Sequence, residues 1–162
     1  MRCYFLRHGV AVDPESYGGG DFERPLTRQG RERMEYEAKA IEKLALDLDR
    51  IVTGPLLRAL QTAAVVAERL NMEERLALDP RLAPGFDLER FRAIVHDHAD
   101  AAAIMLVGHE PSMSATLGRA IGNASIELKK AALAGVELED ETSTGTLVCL
   151  IPPKVLVALG KR

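Results

Sequence analysis

Tryptophan is absent from this chain of 162 residues, and four phenylalanines and three tyrosines are its only aromatics of that kind. A core of aromatic rings is therefore excluded, and Leu, Val, Ile and Ala must fill the interior. Cysteine is nearly absent too. Two residues, Cys3 and Cys149, cannot make a disulfide framework, which suits a reducing compartment, and both fall in apolar strand-like stretches where a small buried thiol is the expected use. No apolar stretch reaches the roughly 18–20 residues that a membrane span needs. Met1-Arg2 leads straight into a strand with no leader pattern, so a cytoplasmic location is expected, without a membrane partner. Excess charge of one sign is also missing. Lys and Arg number 21 against 24 Asp and Glu, a net charge of -3. That field repels phosphate backbones, so no nucleic-acid partner is expected and any anion site must come from a local arginine cluster. What remains is an ordinary globular composition, 47% hydrophobic and 28% charged, of a length that fits one domain over residues 1–162.

Cys3-Tyr4-Phe5-Leu6 reads as a short buried strand, and Arg7-His8-Gly9 follows at its carboxyl end. A long connection from Gly9 to Leu26 holds Pro14 and the run Gly18-Gly19-Gly20, and is expected to be a mobile loop over that turn. Thr27 is a good N-cap for a helix whose apolar stripe is Met34, Ala38, Ile41 and Leu44, with Arg31, Glu32, Glu35 and Lys39 solvated. Gly30 in its first turn predicts the close approach of another backbone. A second strand over 49–52 runs into Thr53-Gly54-Pro55, with Pro55 expected as the first residue of a helix whose first turn carries Arg58. Free N–H groups and the helix dipole there favour an anion.

Leu76–Leu78 is a short strand, Pro84-Gly85 a turn, and Leu88 to Val95 a short helix. Ile104–Val107 is a clear strand ending at Gly108-His109-Glu110-Pro111, and a helix follows to Gly122. Strands around Leu133–Leu138 and Thr146–Ile151 flank the polar connection 139–143, and Val155–Leu159 forms a terminal helical turn after Pro152-Pro153. Strands alternating with helices, then two paired strands, predict a three-layer α/β/α sandwich whose mainly parallel sheet has an antiparallel edge strand.

In a parallel sheet the strand ends carrying Arg7-His8, Arg58 and His109 share one edge and converge on one pocket. Two histidines and two arginines suit phosphate. Arginine grips phosphate oxygens in pairs and keeps its charge, and a neutral imidazole can attack phosphorus. Nearby arginines lower the histidine pKa and keep it nucleophilic. His96 and His98, flanking Asp97, lack further clustered ligands and are taken as solvated surface, so no metal is expected.

Leu6-Arg7-His8-Gly9 resembles the signature of the histidine phosphatase superfamily, which includes the cofactor-dependent phosphoglycerate mutases. The stretch Thr53-Gly54-Pro55-Leu56-Leu57-Arg58-Ala59-Leu60-Gln61-Thr62-Ala63 resembles its second motif, and Val107-Gly108-His109-Glu110-Pro111 its third. Arg24-Pro25-Leu26-Thr27-Arg28-Gln29-Gly30 is similar to the element before the first helix. Short length, the 21–27 stretch and the Leu82-Ala83-Pro84-Gly85 turn bring the chain nearest to the small SixA-type phosphohistidine phosphatases. The resemblance implies a phosphoglycerate-mutase-like fold and a phosphatase without cofactor. It implies that His8 becomes phosphorylated, that Arg7, Arg58 and His109 form the phosphate pocket, and that Arg24 adds a contact.

The sequence departs from the pattern twice. Gly54 stands where serine is common, so a hydroxyl donor is lost while the backbone N–H remains. Ala83-Pro84-Gly85 stands where larger members carry a glutamate acid. A phosphate ester benefits from a general acid, whereas a phosphoramidate needs less help, so the gap favours protein phosphohistidine as substrate. Asp13, Glu15, Asp21 and Glu110 are the candidate acids, Glu110 having the alternative role of a favourable charge in a helix's first turn. The other readings are a phosphatase of small phosphate esters and a non-catalytic phosphate-binding module.

Overall fold

Both faces of the inner strands are apolar, and that dictates layers on both sides of a sheet. In the computed structural model, which describes residues 1–162, the sheet has six strands: β1 (Arg2–Arg7), β2 (Arg50–Thr53), β3 (Leu76–Leu78), β4 (Ala103–Gly108), β5 (Leu133–Glu137) and β6 (Thr146–Ile151), in the spatial order β3-β2-β4-β1-β5-β6. The pairs β2/β3, β2/β4 and β1/β4 are parallel, and β5 runs against both of its neighbours, β1 and β6. The α/β sandwich is thus as expected, with the reversed strand lying one place inside the edge.

The helices are α1 (Arg28–Lys43), α2 (Leu57–Leu70), α3 (Leu88–Asp97), α4 (Ser112–Ala120) and α5 (Pro153–Gly160). Side chains alternate along β1. Tyr4 and Leu6 join Met34 and Ile41 of α1, Ala63 and Val66 of α2 and Leu156 of α5 in one core. Cys3 and Phe5 join Phe91 and Ile94 of α3 with Met113 and Leu117 of α4 in the other. Aliphatic residues dominate both cores, as the scarcity of aromatic residues requires. Burial pushes the Cys3 thiol up to about 12, the state of an inert packing residue. No helix is long and apolar enough to cross a membrane.

Several local readings need correction. Helix α2 begins at Leu57, with Leu56 as N-cap, so Pro55 lies before the helix and not at its first position. The Ala59 and Leu60 N–H groups both reach the Leu56 carbonyl, and that bond pattern sets the start two residues later. The C-terminal helical turn is a full helix, α5, opened by Pro153 at a position where its missing N–H costs nothing. The connection 9–26 is tethered rather than loose. Ala11 bridges to Leu26, the Leu26 N–H donates to Gln61 Oε1 at 2.8 Å, Tyr17 Oη–H donates to the Glu23 carbonyl at 2.9 Å, and a short 3₁₀ turn spans Asp21–Glu23. Thr27 caps α1 by accepting from the Gly30 N–H, and a Cβ at Gly30 would clash with the Val10 carbonyl oxygen. That carbonyl is the close-packed backbone expected at Gly30, and it fixes where the loop enters α1.

One buried group on α1 was not foreseen. Arg31, Glu32, Glu35 and Lys39 are exposed as expected, but Glu37 is buried and its Oε2 has no partner. Burial pushes its carboxyl up to about 8, with Arg33 opposing only weakly. The folded chain therefore holds a proton that the unfolded chain gives up near the ordinary carboxylate range. Stability from this group is full below that range and is lost as pH rises through 8. Glu37→Gln is expected to raise the unfolding free energy measured in urea at pH 9, by up to a few kcal/mol, and to change it little at pH 5. Equal shifts at both pH values would remove the buried-carboxyl account.

Candidate active site

Three adjacent parallel strands, β2, β4 and β1, end side by side, and neighbouring strands lie only about 4.8 Å apart. Arg7 of β1 is in register with Gly108 of β4, and the His8 N–H donates to the Gly108 carbonyl at 2.9 Å. His8 and His109 therefore emerge at one level on neighbouring strands. Arg58 comes from the first turn of α2, which follows β2. His8, His109 and Arg58 are all buried, at 6%, 6% and 4% exposure. Such burial of polar groups needs an explanation, since unpartnered ones are costly.

His8 is the best-defined of these groups. Its Nδ1 lies 2.7 Å from the Gly9 carbonyl oxygen, which can only accept. The proton is thereby assigned to Nδ1 and the lone pair to Nε2. Arg58 Nε–H donates to that Nε2 at 3.3 Å, which agrees with the assignment. Burial, then Arg58, Arg7 and His109, push the imidazole down to about 3 against the opposing pull of the Gly9 carbonyl. At neutral pH His8 is an uncharged imidazole with Nε2 available.

Around it stand donors with capacity to spare. Arg7 Nη1 donates to the Leu128 carbonyl at 2.8 Å, while Arg7 Nε is buried without a partner. His109 Nδ1 lies 3.2 Å from the Glu110 carbonyl, and His109 Nε2 is buried without a partner. Two orphaned polar nitrogens beside a neutral imidazole describe a pocket built for an oxyanion. Burial lowers the Arg7 guanidinium while Glu110 and Glu127 oppose that, and an arginine keeps its charge regardless.

The structure brings Arg7, His8, Arg58 and His109 together directly. Arg24 joins them through an intermediary: it donates to the Val12 carbonyl at 2.8 Å and to Asp21 Oδ1 at 3.0 Å, while Asp21 Oδ2 accepts from Arg58 Nη2 at 3.1 Å. Burial raises the Asp21 carboxyl, but the bonds from Arg24 and Arg58 outweigh it and hold the group below the usual carboxylate range. Asp21 is therefore an ionised bridge and a poor proton donor. Glu110 Oε1 accepts from the Ser114 N–H at 3.0 Å, so it serves the first turn of α4. Asp13 and Glu15 are exposed on the loop, where Asp13 Oδ1 accepts from the Glu15 N–H. His96 pairs with Glu141 at the surface, 3.3 Å apart.

Gly54 has a physical reason that the sequence reading missed. Its N–H donates to the Val107 carbonyl at 3.0 Å and is not free for a ligand, and a Cβ there would meet the Leu82 carbonyl at 2.7 Å. Also missed were the ties from α2. Thr62 Oγ1 accepts from the Gly9 N–H at 3.0 Å and donates to the Arg58 carbonyl at 2.7 Å, locking the His8 turn to the helix that carries Arg58. Two consecutive polar residues, Gln61 and Thr62, inside the apolar stretch of α2 were the available signal. A concavity of about 470 Å³ between Asp49, Arg75 and His98 lies at the amino ends of the strands, away from this chemistry.

Known proteins similar to this chain share its architecture. The sequence profile of the histidine phosphatase superfamily (branch 1) matches residues 3–84. An uncharacterised protein of Picosynechococcus sp. is 36% identical over 141 residues, 84% of each chain. The phosphohistidine phosphatase SixA of Escherichia coli is 27% identical over 150 residues, 90% of each chain. Among solved structures, the protein histidine phosphatase SixA complexed with tungstate superposes with a TM-score of 0.85 at 25% identity, over 95% of this chain and 98% of that one.

The depressed His8 pKa makes a prediction about stability. The unfolded chain takes up a proton near the ordinary imidazole value of 6.5, whereas the folded chain refuses it until about 3. Stability is therefore lost as pH falls from 6.5 towards 3. Between pH 7 and pH 4.5, His8→Gln is expected to lose about 2 kcal/mol less than the original chain in urea unfolding. Parallel losses in the two proteins would show that His8 is not held neutral.

Proposed function

The chain belongs to the histidine phosphatase superfamily, and from that membership we propose that it removes phosphoryl groups from protein phosphohistidine through a covalent phosphohistidine on His8. Phosphatase activity is supported by the membership together with the similarity to SixA over 90% of each chain. The observation that carries the finer reading is His8, a buried neutral imidazole whose Nε2 lone pair faces Arg58, with the orphaned nitrogens of Arg7 and His109 beside it. A related protein, SixA, has been solved with tungstate, a tetrahedral oxyanion like phosphate, and this supports an oxyanion ligand here.

The geometry supports the following steps. Arg7, Arg58 and Arg24 neutralise the phosphoryl oxygens, and the contact of Arg58 with His8 Nε2 gives way to one with the ligand. The Nε2 lone pair forms a bond to phosphorus as the bond to the leaving group breaks and its electron pair departs with that group. His109, when protonated, donates from Nε2 to a phosphoryl oxygen. Water then attacks phosphorus from the vacated side, the P–N bond to His8 breaks, and its electron pair returns to Nε2. The Gly9 carbonyl holds Nδ1–H throughout, so the ring neither rotates nor changes tautomer.

The substrate reading rests on the acids. Ala83-Pro84-Gly85 offers no carboxylate, Asp21 is held ionised, and Glu110 is engaged by the Ser114 N–H. A phosphoramidate leaves with less protonation than an ester does, so phosphohistidine fits this set best. A cytoplasmic location accords with that substrate.

Incubation with a radiolabelled phosphohistidine protein is expected to yield an acid-labile, base-stable phosphoenzyme in the original chain and none in His8→Ala. Arg58→Lys should keep the label but lose roughly 10²-fold in kcat/KM, because lysine cannot reproduce the paired donors. Labelling and turnover by His8→Ala at the original rate would overturn the covalent step. Faster hydrolysis of a panel of small phosphate esters would overturn the substrate.

A further inference from the structure

The least expected group among the arginines is a carboxylate. Asp21 accepts from Arg24 Nε at 3.1 Å and Nη2 at 3.0 Å, and from Arg58 Nη2 at 3.1 Å, while its backbone carbonyl accepts from Arg58 Nη1 at 2.7 Å. Its side chain is still 56% exposed, so it faces solvent at the mouth as well as the arginines behind it. It stands one guanidinium away from the nucleophile, since Arg58 Nε contacts His8 Nε2.

Two more acids, Glu110 and Glu127, lie near enough to Arg7 to act on its charge, although Glu110 also accepts from the Ser114 N–H. Three positive side chains, Arg7, Arg24 and Arg58, are thus met by three negative ones, Asp21, Glu110 and Glu127. The free pocket is close to electroneutral even though its floor is cationic. In the same site the buried His109 Nε2 and Arg7 Nε make no hydrogen bond within the protein, so both can serve a ligand.

We propose that Asp21 is the specificity-determining residue of this site: seated on Arg24 and Arg58 at the mouth, its carboxylate disfavours free anions and polyanionic phosphates and favours a phosphoryl group carried on a cationic imidazole. The proposal rests on the phosphatase reading above and names the feature that selects the substrate within it. A fixed negative charge about 5 Å from an incoming anion lowers affinity on the order of tenfold or more at an effective dielectric near 20. Phosphohistidine escapes that penalty when its distal ring nitrogen is protonated, because this N–H can donate to the open face of Asp21. The chemistry then balances without a general acid. His8 Nε2 bonds to phosphorus, the substrate P–N bond breaks, and its electron pair returns to the ring nitrogen. The ring leaves as neutral imidazole, already carrying a proton on its other nitrogen. An alkoxide leaving group has no such charge to offer.

The test is Asp21→Asn in the full chain, which keeps the shape and removes the charge, with Asp21→Ser as a second variant should the first fail to fold. Inorganic phosphate binding is measured by calorimetry, and kcat/KM is measured on phosphoimidazole and on p-nitrophenyl phosphate. Phosphate is expected to bind about tenfold tighter to the variant, and the ratio of phosphoimidazole to aryl phosphate kcat/KM to fall by about tenfold. Unchanged or weaker phosphate binding would mean that Asp21 only braces the arginines, and would overturn the proposal. A common factor on both substrates would do the same. Phosphate binding needs no turnover, so this result stands apart from the fate of the covalent reading, which His8→Ala decides.

Discussion

Keeping one imidazole neutral among cations is the constraint on which the site depends. An imidazolium has no lone pair to offer phosphorus, so protonation of His8 would end its reactivity. Burial opposes the proton most strongly, and Arg58, Arg7 and His109 add to that opposition. The Gly9 carbonyl occupies Nδ1, which leaves Nε2 as the nitrogen that gives up its proton. The arginines proposed to hold the phosphoryl oxygens thus also help to keep the His8 imidazole deprotonated. Loss of one of them would weaken the anion site and also ease protonation of the imidazole, so their effects do not add as independent contacts.

Holding that arrangement is a task for rigid elements, and the fold supplies them. His8 and His109 follow adjacent parallel strands in register, and Arg58 lies in the first turn of a helix whose Thr62 is bonded to the Gly9 N–H. The backbone of β1 is paired on both sides, by β4 and β5, so its carboxyl end has little freedom. Only Arg24 and Asp21 come from a loop, and side-chain bonds from Gln61 and Arg58 stitch that loop to α2. Floor and rim therefore differ in kind: the floor is set by the sheet, the rim by side chains that a ligand can displace.

That difference also governs what could be read from the sequence alone. Strands with apolar runs ending in Arg-His or Gly-His, and a helix stripe at Met34, Ala38 and Ile41, are local patterns with a known physical period, and the elements lie where the pattern puts them. Gly30 was legible because a glycine in a first turn has few other uses, and the Val10 carbonyl occupies the space its side chain would need. What escaped was mostly non-local: nothing near Gly54 announces that the Leu82 carbonyl will press on it, whereas Glu37, three residues after Met34, sits on the buried stripe by its spacing and was passed over as an acid. The role of Asp21 lay between the two cases. Its spacing to Arg24 is an ordinary i,i+3 pair, but its second partner, Arg58, is 37 residues away and is brought near only by the fold.

The inventory of acids then turns from a gap into a constraint. A conventional ester phosphatase needs a group that is protonated at neutral pH and close to the departing oxygen. The carboxylate nearest to His8 through its hydrogen bonds is Asp21, and two guanidiniums hold it ionised. Converting it to an acid would mean removing the bonds from Arg24 and Arg58, the same groups that are to grip the phosphoryl oxygens. Proton donation by Asp21 and anion binding by those arginines are therefore in direct competition at this site. The competition is avoided only by a leaving group that brings its own proton. Imidazole does so through its second nitrogen, and an alcohol has no equivalent. On this argument the ionised state of Asp21 follows from the arginines, and the neutral His8 imidazole follows from burial first and the same arginines second.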